Sequence, residues 1–167
     1  MSLNTELIFP NLILFEEYKG NFKKYFDVIY KIFINDFLLT QPLYNGMKVF
    51  AQKKPEVDGI HRTFYHITHE GEDEKNRKPD FRRMERIQFP KFVIENCEHN
   101  DFLIWEKVVG RDNRVHILNE KERYLVVLAE RKGFYLFWTA FYIKDNEQHT
   151  INKKKKEYEA YKKAKTA

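Results

Sequence analysis

The chain has one cysteine, Cys97, among its 167 residues, so no disulfide can close within it. A reducing cytoplasm is the expected setting. No apolar run approaches the roughly 18 residues that a membrane-crossing helix needs. Nor does the N-terminus carry a basic segment followed by an apolar stretch and a small-residue cleavage site. Neither membrane insertion nor secretion is therefore expected. The chain also lacks a Gly-x-x-x-x-Gly-Lys loop, a nucleophile elbow and a Cys-x-x-Cys pair. These absences argue against a nucleoside-triphosphatase, an elbow-type hydrolase and a zinc ribbon. No internal repeat is visible.

Aromatic residues make up 16% of the chain although 33% of it is charged. Disorder requires high charge together with low hydrophobicity, so this combination excludes it. The length suits one domain with a real core, residues 1–150, followed by a basic helix or tail over 151–167. Net charge is +5 and the pI is near 9.1, compatible with a nucleic-acid partner. Much of the excess lies in Lys153–Lys156 and in Lys162, Lys163 and Lys165, which read as a solvated tail.

Phe22, Tyr25, Phe26, Ile29, Ile32, Phe33 and Phe37 recur at helical spacing and predict an amphipathic helix laid on a core. Gln41–Gly46 ends it with turn residues. Met47 to Gln52 reads as a strand, and Asp58-Gly59 as a hairpin turn into a second strand over Thr63 to Thr68. The polar run from His69 to Pro79 reads as a loop with the character of a lid. Asp80 is an N-cap candidate for a helix through about Gln88, and Pro90 restarts a second one to Asn96. Phe102–Val109, Arg114–Asn119, Arg123–Glu130 and Gly133–Ile143 have strand composition, with separators so short that the last three runs must join as antiparallel hairpins. Asn152 to Lys165 reads as a terminal helix with Tyr158 and Tyr161 docking. The expected fold is α+β: an N-terminal helix, then a four- to six-stranded antiparallel sheet with a helical insert.

Several side chains could carry chemistry. His61, His66 and His69, with Glu70, Glu72 and Asp73, invite a metal reading. A strand over Thr63–Thr68 would send His61 and His66 to opposite faces, and no helical His-x-x-x-His pair compensates, so no metal is expected. His66, flanked by Tyr65 and Ile67, reads as a partly enclosed imidazole poised near neutrality, or as a satisfied core histidine. His116 shares a strand face with Arg114, where an imidazole beside a guanidinium can serve as base and phosphate clamp. The alternative for His116 is the polar face of an edge strand. Arg82 and Arg86 share a helical face with Glu85 nearby, either as a phosphate-binding cluster or as a surface ion-pair face. Phe134, Phe137, Trp138 and Phe141 read as core rather than as base-stacking platforms, since bulky residues on both faces mark a central strand. Thr139 puts a hydroxyl inside that run.

The run Gly133-Phe-Tyr-Leu-Phe-Trp-Thr-Ala-Phe-Tyr-Ile143 resembles the closing strand of the barnase–EndoU–colicin–RelE (BECR) ribonuclease superfamily. The layout is closer still to its phage-associated branch, where a helical part precedes a four-stranded antiparallel sheet. There the last strand often reads aromatic-x-x-x-Thr-Ala-aromatic. The likeness covers roughly residues 60 to 143. It implies metal-independent RNA cleavage by His, Arg or Lys, and Ser, Thr or Tyr side chains, without a cofactor. Carried onto this chain, the catalytic set is His66, Arg86, Arg114, Thr139 and Tyr142, with His116 as a second imidazole. Arg82, Arg83, Arg111 and Lys107 are the expected RNA-binding residues. The superfamily has no single invariant triad. The expected function is a phage-derived or toxin-like endoribonuclease acting on RNA in the cytoplasm, to which an acidic inhibitor protein could be a partner. The alternative is a non-catalytic RNA- or protein-binding module on the same scaffold.

Overall fold

A computed structural model describes residues 5–73 and 76–166. Its frame is a six-stranded, mostly antiparallel sheet in the order β1-β2-β8-β7-β6-β5. The strands are β1 (Leu43–Tyr44), β2 (Met47–Ala51), β5 (Phe102–Val109), β6 (Asp112–Asn119), β7 (Tyr124–Arg131) and β8 (Phe134–Tyr142). Strands β5 to β8 are joined as successive hairpins, as the short separators require. A second, two-stranded ladder pairs β3 (His69–Glu70) with β4 (Lys78–Pro79). That ladder pins both ends of the polar run read as a lid; residues 74 and 75 of the run lie outside the described residues.

Helix α1 (Phe22–Ile34) starts where the Asn21 side chain accepts a hydrogen bond from the Lys24 amide at 3.0 Å. It buries Tyr25, Ile29 and Phe33, spaced one helical turn apart, and runs on through a π-helical turn, Asn35–Leu39. These side chains meet Val115, Ile117, Val126, Leu128, Tyr135 and Phe137 from one face of the sheet. Helices α3 (Phe81–Met84) and α4 (Phe89–Asn96) complete that core, with Asp80 capping α3 as expected.

The opposite face carries a smaller core. Trp105, Leu118, Leu125, Val127 and Ile143 are covered there by Ile151, Tyr158 and Tyr161 of α5 (Gln148–Thr166). Because Ile151 is wholly buried, α5 is the lid of a core rather than a loosely docked tail. No helix among the described residues is long and apolar enough to cross a membrane.

Besides β1 within the expected turn Gln41–Gly46 and the ladder within the expected loop, one element changes type. Arg62–Thr68 is not a strand but helix α2. Asp58-Gly59 does turn the chain, between Val57 and Ile60, but β2 forms its hairpin with β1 before it and pairs in parallel with β8, rather than with the segment after that turn. The Thr63 hydroxyl accepts from the Gln52 amide at 2.7 Å and donates to the Gln52 carbonyl at 3.1 Å, tying the helix start to the end of β2. With β2 paired only as far as Phe137, α2 packs against the remainder of β8. Helical winding then directs Phe64 and Ile67 into the core. Tertiary burial overrides the strand propensity of Phe64-Tyr-His-Ile-Thr68.

Candidate functional site

The helical form of α2 changes what His66 can meet. Arg62 and His66 are four residues apart, hence on one helical face, and both line a cleft of about 490 Å³ with Thr63, Gln52, Pro55, Arg131, Leu136 and Trp138. The backbone of His66 is held from behind: its carbonyl accepts from Nη1 of Arg77 and of Arg83, each at 3.4 Å. The His69 carbonyl accepts from the same two groups at 3.3 and 3.4 Å. Two guanidiniums at the C-terminal end of α2 suit its orphan carbonyls and negative dipole end.

Beyond the cleft, Arg114 lies with its guanidinium carbon 3.9 Å from the Trp138 ring centroid. Asp112 fixes it, accepting from Arg114 Nε at 3.2 Å and Nη2 at 3.1 Å. The other Asp112 oxygen accepts from Arg131 Nη1 at 3.1 Å. One carboxylate therefore positions two guanidiniums, whereas the Arg62 guanidinium has no hydrogen-bond or ion-pair partner among the described residues. Three guanidiniums against one carboxylate give an anion-attracting surface.

The remaining expected residues divide between the two faces of the sheet. Thr139 pairs across from Val127 and so faces the α5 side, next to Trp138. Tyr142 pairs with Tyr124 and faces the larger core, where Arg86 lies 4.0 Å and Arg82 5.8 Å from its ring centroid. Arg86 is buried and donates to the Arg82 carbonyl and to Glu85 Oε1, both at 2.8 Å. Arg86 and Tyr142 therefore stand apart from His66, a correction to the single shared site expected of them. Asp145 accepts from the Tyr142 hydroxyl and holds its pKa above the usual phenol value. Arg83 is drawn inward by Asp80 and the α2 carbonyls, so it acts as a staple rather than an open RNA contact. Lys107 pairs with Glu157 of α5 at 3.4 Å, and Arg111 is exposed in the β5–β6 turn. A second concavity, lined by Glu70, Lys78, Asp80, Arg82 and Lys144, mixes both signs of charge and has no histidine in its lining.

His116 does share the Arg114 face, but α5 covers its end of the strand. It is 6% exposed, its ring stacks on Trp105 at 5.1 Å, and its Nδ1 has no hydrogen-bond partner among the described residues. It is a core residue separated from the cleft, because the direction of a strand face does not say how far a helix covers it. Burial drives its pKa down to about 4, and it does the same to His61. The unfolded chain takes up these protons near pH 6.5, before the folded protein can. Stability should therefore fall as pH drops from about 6.5 to about 4, by on the order of 3 kcal/mol for each histidine. Urea titrations at pH 7, 5.5 and 4.5 should show this decline, and His116→Phe should remove about half of it, leaving the share of His61. A flat profile in the native protein would mean that the unfolded state shares the low values.

Two cleft residues were not anticipated as site residues. Arg62 was masked by the strand reading, although its four-residue spacing from His66 is the helical signal. Arg131 lies at the end of β7, which hides its approach to Asp112. No group of histidines, cysteines and carboxylates among the described residues is arranged to hold a metal ion. No family model, curated protein or solved structure matches this chain.

Proposed function

We propose that this protein is a metal-independent endoribonuclease of the phage-derived or toxin-like kind. The observation that carries this reading is the single cleft in which His66 and Arg62 face Arg131 and Trp138. His66 takes the proton from a ribose 2′-hydroxyl, which attacks the adjacent phosphorus and expels the 5′-oxygen. Arg62 and Arg131 stabilise the charge developing on the non-bridging oxygens, and Arg114 extends the anion-binding surface. The cleft offers one imidazole, and the Thr63 hydroxyl is already engaged by Gln52, so the leaving oxygen takes its proton from water or from the His66 imidazolium. The need for a 2′-hydroxyl selects RNA over DNA.

The reading fits a reducing cytoplasm, where the buried thiol of Cys97 stays free. An acidic inhibitor protein would complement the same guanidiniums. The presence of only one imidazole leaves a second reading, a binding module that uses the arginines and Trp138 without chemistry. Purified protein incubated with RNA in excess EDTA should produce fragments ending in 2′,3′-cyclic phosphate, and a 2′-deoxy substitution at the scissile nucleotide should block cleavage there. Cleavage that vanishes with chelator and returns with a divalent ion would overturn the metal-independent mechanism. Tight RNA binding without cleavage would select the binding module.

A further inference from the structure

The strand β8 carries a bulge. Leu128 opposes Phe137 and Val127 opposes Thr139, so Trp138 is an extra residue that opposes nothing on β7. A bulge resets the alternation of side chains and re-aims the inserted one. Tyr135 and Phe137 before it, and Ala140 after it, all reach the larger core, while Trp138 is 38% exposed. Alternation already puts Trp138 on the face opposite Phe137, and the bulge leaves it there without a partner. The sequence reading of Trp138 as core fails because the α5-side core does not extend over this end of the face. An indole in the middle of a central strand is thus left uncovered and lines the cleft of Arg62, His66 and Arg131.

We propose that Trp138 is a stacking platform for one unpaired nucleobase, so that single-stranded RNA is the substrate class; this rests on the ribonuclease reading above. The ring is already held, with Arg114 over it at 3.9 Å and Asp112 fixing Arg114, so stacking orders little that is not ordered beforehand. A base on the indole brings its own phosphates to Arg62 and Arg131, the pairing of aromatic platform and cationic groove that single strands use. A cleft of about 490 Å³ admits a nucleotide but not a duplex. A base inside a duplex has both faces covered by its neighbours and reaches such a ring only after being flipped out.

The chain has two tryptophans, and Trp105 is 1% exposed beneath α5, so a ligand-induced change in indole fluorescence reports Trp138. The probe is a short 2′-O-methyl single strand, which cannot be cleaved, with an abasic analogue and a blunt duplex as comparisons. The single strand should quench the fluorescence, and the abasic strand should bind about ten- to a hundredfold more weakly. Trp138→Ala should lose the same factor and raise KM for RNA, while Trp138→Phe, which keeps a ring, should retain most of the affinity. Equal binding of abasic, duplex and single-stranded probes, or RNA turnover with an unchanged KM in Trp138→Ala, would overturn the platform and leave the nuclease reading intact. Quenching by the single strand in a protein that cleaves no RNA would overturn the nuclease and keep the platform. Quenching by an aromatic-bearing acidic peptide but by no oligonucleotide would assign the ring to a protein partner instead.

Discussion

Replacing His66 by glutamine is expected to lower RNA cleavage by about 10²- to 10⁴-fold, the usual contribution of a positioned proton-transfer group. His66 is half-buried on the open face of α2, and its neighbours Phe64 and Ile67 carry that helix's contact with the core. The substitution should therefore change stability by no more than about 1 kcal/mol. RNA affinity should be nearly unchanged, since Arg62, Arg131 and Trp138 still line the cleft. Tyr142→Phe is the contrasting variant. It removes a hydroxyl that meets Asp145 on the other side of the sheet but keeps the ring under Arg86, and it should leave turnover as it was. Cleavage that survives in His66→Gln but collapses in Tyr142→Phe would move the site to the Arg82–Arg86 side.

The parts of this arrangement that local pattern can encode were readable in advance. Hairpin separators as short as Lys132-Gly133 leave only one way to join β7 to β8, and the period of two correctly puts Arg114 and His116 on one face. What local pattern cannot encode is coverage and phase. The fate of His116 depends on where α5 lies, and that is decided by Ile151, 35 residues further along the chain. The fate of Trp138 likewise depends on how far the α5-side core extends over its face, which a run that is apolar on both faces does not show. Helix α2 is seven residues long and rich in aromatic and β-branched side chains, so its conformation comes from packing against β8 rather than from propensity. Both walls of the cleft, α2 and the uncovered face of β8, thus depend on long-range contacts. That is why the fold could be anticipated more fully than the site.

Removing α5 by truncation after Asp145 is expected to abolish cooperative folding. The cut would expose Trp105, Leu118, Leu125, Val127 and Ile143, all of them now buried, and would delete Ile151, which caps them. Each large apolar side chain returned to water costs about 1.5–3 kcal/mol. Several together rival the whole stability of a domain, roughly 5–15 kcal/mol. Arg123 would lose its hydrogen bond to the Gln148 side chain, and Lys107 its ion pair with Glu157. These exposed contacts add little beside the apolar loss. Where the truncated chain cannot be purified, Ile151→Ala isolates the same contact in the full protein and should cost about 2–5 kcal/mol in urea unfolding. Lys163→Gln, on the exposed side of the same helix, should leave the unfolding midpoint in place. A truncated protein with a native-like unfolding transition would show that the sheet closes this face without α5, and that the helix serves only to carry its lysines to RNA.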